Sequence, residues 1–110
     1  MQLSKKVLID VSADASNSTG VQTDGLLLSG IVFPAAMTGA NVTFDFSFDG
    51  NTWVDVVETD NTEVTYVVSP GNVVRVDPSG WAFATAGFVR VTSDDTETAD
   101  RNIVLIFKQS

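Results

Sequence analysis

An all-β fold, a two-layer β-sandwich of jelly-roll-like type with about eight strands, is what this sequence predicts, and three observations carry it. Residues 41–48 (NVTFDFSF) alternate without a fault: Val42, Phe44, Phe46 and Phe48 take one parity, Asn41, Thr43, Asp45 and Ser47 the other. Successive strand side chains point to opposite faces, so this is a strand with one apolar and one polar side. Short β-branched or apolar runs of the same kind recur along the chain, separated by clusters of Gly, Pro, Asn, Asp and Ser, with no convincing helix and no internal repeat. Finally, 110 residues make one domain, spanning the whole chain and large enough to bury roughly two-thirds of the surface its unfolded form exposes. A strand count near eight with long crossing loops favours the jelly roll over the immunoglobulin type, whose disulfide and companion tryptophan pattern are missing.

The first strand is residues 5–11 (KKVLIDV), β-branched behind a basic tip. Residues 12–24, rich in Ser, Asp, Asn, Thr and Gly, read as a long solvated loop. Residues 25–33 (GLLLSGIVF) are apolar on both parities and fit a buried central strand. A helix there would carry two glycines, each costing about 1 kcal/mol against alanine. Residues 34–39 lead into the alternating strand, and Asp49-Gly50-Asn51 turns it into a hairpin, because glycine accepts the positive φ of a tight turn. The register of that hairpin decides the side Trp53 takes. With an odd loop and a left-handed Gly50, Val54 and Val56 join the Phe44 and Phe46 face while Trp53 and Asp55 lie opposite. With a two-residue Asp49-Gly50 loop the assignment inverts and Trp53 is core. The odd loop is preferred because it puts two valines on the phenylalanine face. Trp53 then needs a second layer or a partner to cover it.

Residues 62–68 (TEVTYVV) form the next strand, ended by the Pro70-Gly71 pair of a type II turn. Residues 72–76 (NVVRV) follow and close at Asp77-Pro78-Ser79-Gly80. Residues 81–86 (WAFATA) fit a short helical turn or an irregular crossing. Residues 88–92 (FVRVT) alternate again, residues 93–102 (SDDTETADRN) are the most acidic stretch and read as an exposed loop, and residues 103–107 (IVLIF) make the last strand. An open sandwich must protect its edges, and packing against another copy is one way to do so.

Cysteine and histidine are both absent. No disulfide framework, thiolate nucleophile or Cys-based zinc site is available, and the usual general base and the commonest metal ligand are missing. With 14 acidic against 6 basic residues the net charge is −8, which repels phosphate backbones and anionic headgroups. No direct partnership with nucleic acid or membrane is expected. No apolar run approaches the roughly 20 residues of a membrane span, and the N-terminus (MQLSKKVLIDVS) lacks the apolar core of a signal peptide. The expectation is a soluble protein made in a cytoplasm.

Carboxylates recur in pairs, Asp45 with Asp49, Glu58 with Asp60, Asp94 with Asp95, but in turns and on solvated faces where a glycosidase would need them across a cleft. The expectation is a protein that is no enzyme and holds no cofactor and no metal. Asp49-Gly50-Asn51 and Asp94-Asp95 offer oxygen ligands to calcium, yet the spacing is not that of an EF-hand and the hairpin turn is the simpler account. Gly80 and Gly87 are too far apart to form a phosphate loop. Trp53 and Trp81 are the aromatic candidates for stacking on a sugar or anchoring a partner, against the alternative that each caps one end of the core.

The order of segments carries more than any one of them. Residues 23–56 run through a Gly-Leu strand, a Pro-Ala-Ala connection and an alternating strand ending in Ser-Phe-Asp-Gly, with Trp53 shortly after. Then come Val76-Asp77-Pro78 before a crossing that contains Phe and Gly, Phe88-Val89-Arg90-Val91 with Ser93 after it, and Ala99-Asp100-Arg101 leading into the last strand. In this order, over roughly residues 23–108, the chain resembles a group of small structural proteins encoded among the head genes of tailed bacteriophages. The resemblance implies a capsid decoration, or cement, protein on the outer surface of the virion, often trimeric. Such proteins clamp neighbouring subunits of the major capsid protein against the pressure of packaged DNA, and the group has no catalytic residues to carry over. Its first residues commonly form an arm that reaches a neighbour, and residues 1–6 match in being polar and basic. Lys5 and Lys6 are therefore the candidates to meet an acidic capsid patch, beside Trp53 and Trp81. The reading from another class is a carbohydrate-binding or receptor-binding module that uses Trp53 or Trp81. A tail or neck component of the same virion is the third.

Overall fold

The computed structural model describes residues 2–109. Within them lie nine strands: β1 (Gln2–Ile9), β2 (Val21–Gln22), β3 (Leu27–Val32), β4 (Asn41–Ser47), β5 (Val54–Asp55), β6 (Thr65–Val67), β7 (Val73–Arg75), β8 (Phe88–Ser93) and β9 (Arg101–Lys108). A 3-10 segment, Pro78–Ala84, crosses between β7 and β8. All strand pairs are antiparallel, and they make two sheets in the orders β1-β9-β3-β7 and β2-β8-β4-β5, with β6 beside β5 on the same flank of β4. Taking β5 and β6 as one interrupted strand, the two sheets interleave as a pair of Greek keys, which is jelly-roll connectivity. The expected all-β sandwich is the fold observed; β2, inside the stretch read as a loop, brings the strands to nine.

The inward parities make the core. Val7 and Ile9 of β1, Ile103, Leu105 and Phe107 of β9, and Leu28 and Ile31 of β3 face Val42, Phe44 and Phe46 of β4 and Val89 and Val91 of β8. The run at residues 25–33 is apolar on both parities for a reason the pairing reveals. Its register against β9 shifts between Leu28 and Gly30, so Leu26 and Leu28 point inward before the bulge, Ile31 and Phe33 after it. Residues 2–6, the described part of the segment read as an arm, pair with residues 104–108 as the first part of β1. Met1 lies outside the described residues.

The hairpin takes the odd register. Asp45 pairs with Asp55 and Phe46 with Val54, Gly50 has φ +84°, and Val56 is buried on the phenylalanine face. Phe48 departs from its expected place in the core. The Ser47 hydroxyl accepts from the Gly50 N–H at 2.8 Å, so the strand ends at Ser47 and alternation no longer governs Phe48, which is 85% exposed at the tip.

The acidic stretch at residues 93–102, read from the sequence as an exposed loop, is not uniformly solvated. Glu97 is 1% exposed. Its carboxylate accepts from the backbone N–H groups of Thr38 and Gly39, both at 2.8 Å, from the Ser93 hydroxyl at 2.7 Å and from Arg101 Nε at 2.8 Å. Burial pushes this carboxyl up, but the four donors together outweigh burial and hold it down at about 2. Only glycine fits at position 39, since a Cβ there would stand 2.1 Å from Ser93 Oγ. One buried anion thus ties the entry of β4, the end of β8 and the start of β9 together.

Candidate interaction surface

The four residues singled out from the sequence lie in three different places. Lys5 has core parity in the middle of β1; its ammonium lies 5.7 Å from the Phe107 ring centre and pairs with the Asp24 carboxylate and the Gln22 carbonyl. Its charge is already engaged within the chain. Lys6 has the opposite parity and is exposed on the outer face of the four-stranded sheet.

Trp53 lies on the outer side of the other sheet, as the odd register requires. The Arg90 guanidinium stacks over its ring at 4.6 Å and donates from Nε to Asp45 Oδ2 at 2.8 Å. Thr92 Oγ1 reaches both Asp45 Oδ2 at 3.2 Å and Asn17 Oδ1 at 2.7 Å. Asp45, expected on a solvated face, is therefore 7% exposed, covered by Arg90, the indole and the returning loop. The loop approaches closely enough that a Cβ on Gly20 would meet Trp53 Cη2 at 2.6 Å. Gly20→Ala should push the indole outward, giving a red shift in tryptophan emission and a stability loss of about 1 kcal/mol by overpacking. An emission spectrum identical to wild type would show that the indole is not held there.

Trp81 is 3% exposed, so it is not available to a partner and serves as core instead. The Asp77 side chain caps the 3-10 segment by accepting from the Ser79 N–H at 3.1 Å, Pro78 presets its first turn, and the turn carries Trp81 inward. There its ring meets Phe44 edge-on at 4.9 Å, and its indole N–H donates to the Tyr66 hydroxyl at 3.1 Å. Neither tryptophan offers a bare platform to a sugar: one is buried and the other lies under Arg90.

The largest exposed aromatics are two that the sequence reading did not single out. Phe48, at the hairpin tip, and Phe83, two residues beyond Trp81 and 55% exposed, stand over Phe46 with ring centres 5.1 and 5.7 Å from it. With Val54, Val56 and Val57 they line a groove of about 420 Å³ along the β5 edge. A second hollow, sharing Val56, Val57 and Phe83, continues it towards Tyr66. Every charged residue lining the two is a carboxylate: Asp55, Glu58 and Asp77. The spacing of Phe83 from Trp81 was the available signal, since on a tight helical turn two aromatics two apart cannot both face inward.

The four-stranded sheet has the opposite character. Its strands β1, β3, β7 and β9 contain no Asp or Glu, yet hold five of the six basic residues, Lys5, Lys6, Arg75, Arg101 and Lys108. Lys5 and Arg101 are paired with Asp24 and Glu97. Lys6, Arg75 and Lys108 are exposed on the outward parity and form no ion pair among the described residues. Between them Val32, Val104 and Ile106 are half-buried and Val73 is exposed.

Among the described residues no three carboxylates gather as a metal site. Asp49 Oδ1, weighed as a calcium ligand, accepts from the N–H groups of Asn51 at 2.8 Å and Thr52 at 2.9 Å, and Asp94 accepts from the Ala40 N–H and Asn41 Nδ2, both at 3.0 Å. Those donors hold both carboxyls below their ordinary value. Comparison with protein-family models and with curated proteins finds no match.

Proposed function

We propose that this protein is a virion structural protein, a capsid decoration or cement protein. It acts as a homo-oligomer, a trimer, on the outer surface of a tailed-phage head, where it bridges neighbouring subunits of the major capsid protein. The single observation that supports this best is the exposed apolar groove of Phe48, Val54, Val57 and Phe83, with Asp55 on its wall, displayed on the two-sheet sandwich. Exposed aromatics clustered over a buried phenylalanine favour a contact surface, because apolar area gathered in one groove is released from water when a partner covers it. The resemblance of its order of segments to small phage head proteins supports that setting for the contact. Many modest contacts repeated by capsid symmetry add through effective concentration, so no single strong site is needed.

Light scattering of the purified chain should give a mass near that of three copies. Heads that lack the protein should release DNA on heating sooner than intact heads, and adding it back should restore them. A monomer that never copurifies with heads would defeat the reading. The carbohydrate-binding alternative predicts quenching of tryptophan fluorescence by oligosaccharides, which the positions of Trp53 and Trp81 do not favour.

A further inference from the structure

We infer that copies of this chain associate head to tail, the outer face of the four-stranded sheet in one copy seating on the acid-rimmed groove of the next. This rests on the homo-oligomer of the proposed function and names the surfaces that build it. The argument is one of charge. The groove has apolar walls and the carboxylates of Asp55, Glu58 and Asp77. The sheet face has an apolar middle of Val32, Val73, Val104 and Ile106, with Lys6, Arg75 and Lys108 around it.

Three pairings of these surfaces exist. Groove against groove sets three carboxylates on each side opposite one another, and face against face does the same with the cations. Only groove against face joins opposite charges around apolar centres, and like charges held across an interface cost several kcal/mol. For a chain of net charge −8, it is the one of the three pairings that works against the general repulsion between copies. A contact between two different patches of one molecule closes into a ring or grows into a filament. A ring of three is the closed form that agrees with the proposed trimer.

Two variants test it by light scattering and sedimentation. Lys6→Glu with Arg75→Glu spoils the face, and Val57→Asp with Phe83→Ser spoils the groove; all four positions are exposed, so circular dichroism should match wild type. Each variant alone should fall from the wild-type mass to that of one chain. Mixed, they should form a one-to-one dimer, since one intact face still meets one intact groove while closure is blocked. Raising salt to about 1 M, where charges are screened within about 3 Å, should lower the wild-type mass. Variants that keep the wild-type mass, or a mixture that stays monomeric, overturn the inference while leaving a trimer possible by other surfaces. A wild-type chain that is always monomeric yet sediments with heads overturns it and leaves the decoration reading standing. A wild-type oligomer that ignores heads while its variants behave as described does the reverse.

Discussion

Replacing Glu97 with alanine should destabilise the sandwich by about 3–5 kcal/mol, the usual result of stripping one member from a buried ion pair. The loss would orphan the Arg101 guanidinium, which is 13% exposed, and two backbone N–H groups at Thr38 and Gly39. Against a total stability of roughly 5–15 kcal/mol for a natural domain, such a change comes close to unfolding the chain. The same site sets a pH dependence. Its folded carboxyl titrates at about 2 against an ordinary value of 4.5. The folded value lies below the unfolded one, so the stabilisation is complete above about pH 4.5 and is lost as pH falls towards 2, on the order of 3 kcal/mol in all. Glu97→Gln keeps the shape and discards the charge. Urea unfolding of wild type and this variant should therefore give midpoints far apart at neutral pH that converge in acid; parallel curves would remove the anion from its assigned role.

Trp81→Ala should cost about 3–5 kcal/mol, the range for emptying a large aromatic site in a core. The void would open between Phe44 and Tyr66 and leave the Tyr66 hydroxyl without its donor. For a domain of this size that amounts to well over 10 °C in melting temperature by the usual scaling. Trp81→Phe refills much of the volume without the N–H, and should recover more than half of the loss. Thermal unfolding of the pair distinguishes packing from the hydrogen bond. A melting temperature for Trp81→Ala within a few degrees of wild type would mean that the 3-10 segment carries its ring outside the core.

Both sites show what one strand of letters can and cannot express. The parity of β4 and the odd register of its hairpin were legible because alternation and a left-handed Gly50 are local facts. The apolar run that became β3 was legible as a buried strand, though not its bulge at Ser29, which needs the partner β9 to define it. Trp81 was ambiguous because its orientation depends on how a capped 3-10 turn crosses the sandwich. Glu97 was hidden inside a stretch whose composition is that of a solvated loop; its four donors come from residues 38, 39, 93 and 101 and meet only after folding. The groove itself was hidden for the same reason: the spacing of Phe83 from Trp81 hinted that one of those two rings faces out, but only folding brings Phe83 beside Phe48 over Phe46. Asp45 looked solvated until Arg90 arrived beside it from β8.

The flanks of the two sheets bear on how the protein behaves when concentrated. Beyond β4 lie only the two residues of β5 and the three of β6, and the far flank of the same sheet is the two-residue β2. None is long enough to template an incoming backbone ladder. The one extended margin, β1, has its far end closed by Leu8 bonding with Thr19, and the open remainder bears Lys5 and Lys6. Molecules crowded together are thereby kept from fusing into fibres, and any contact between them is left to side chains that can let go.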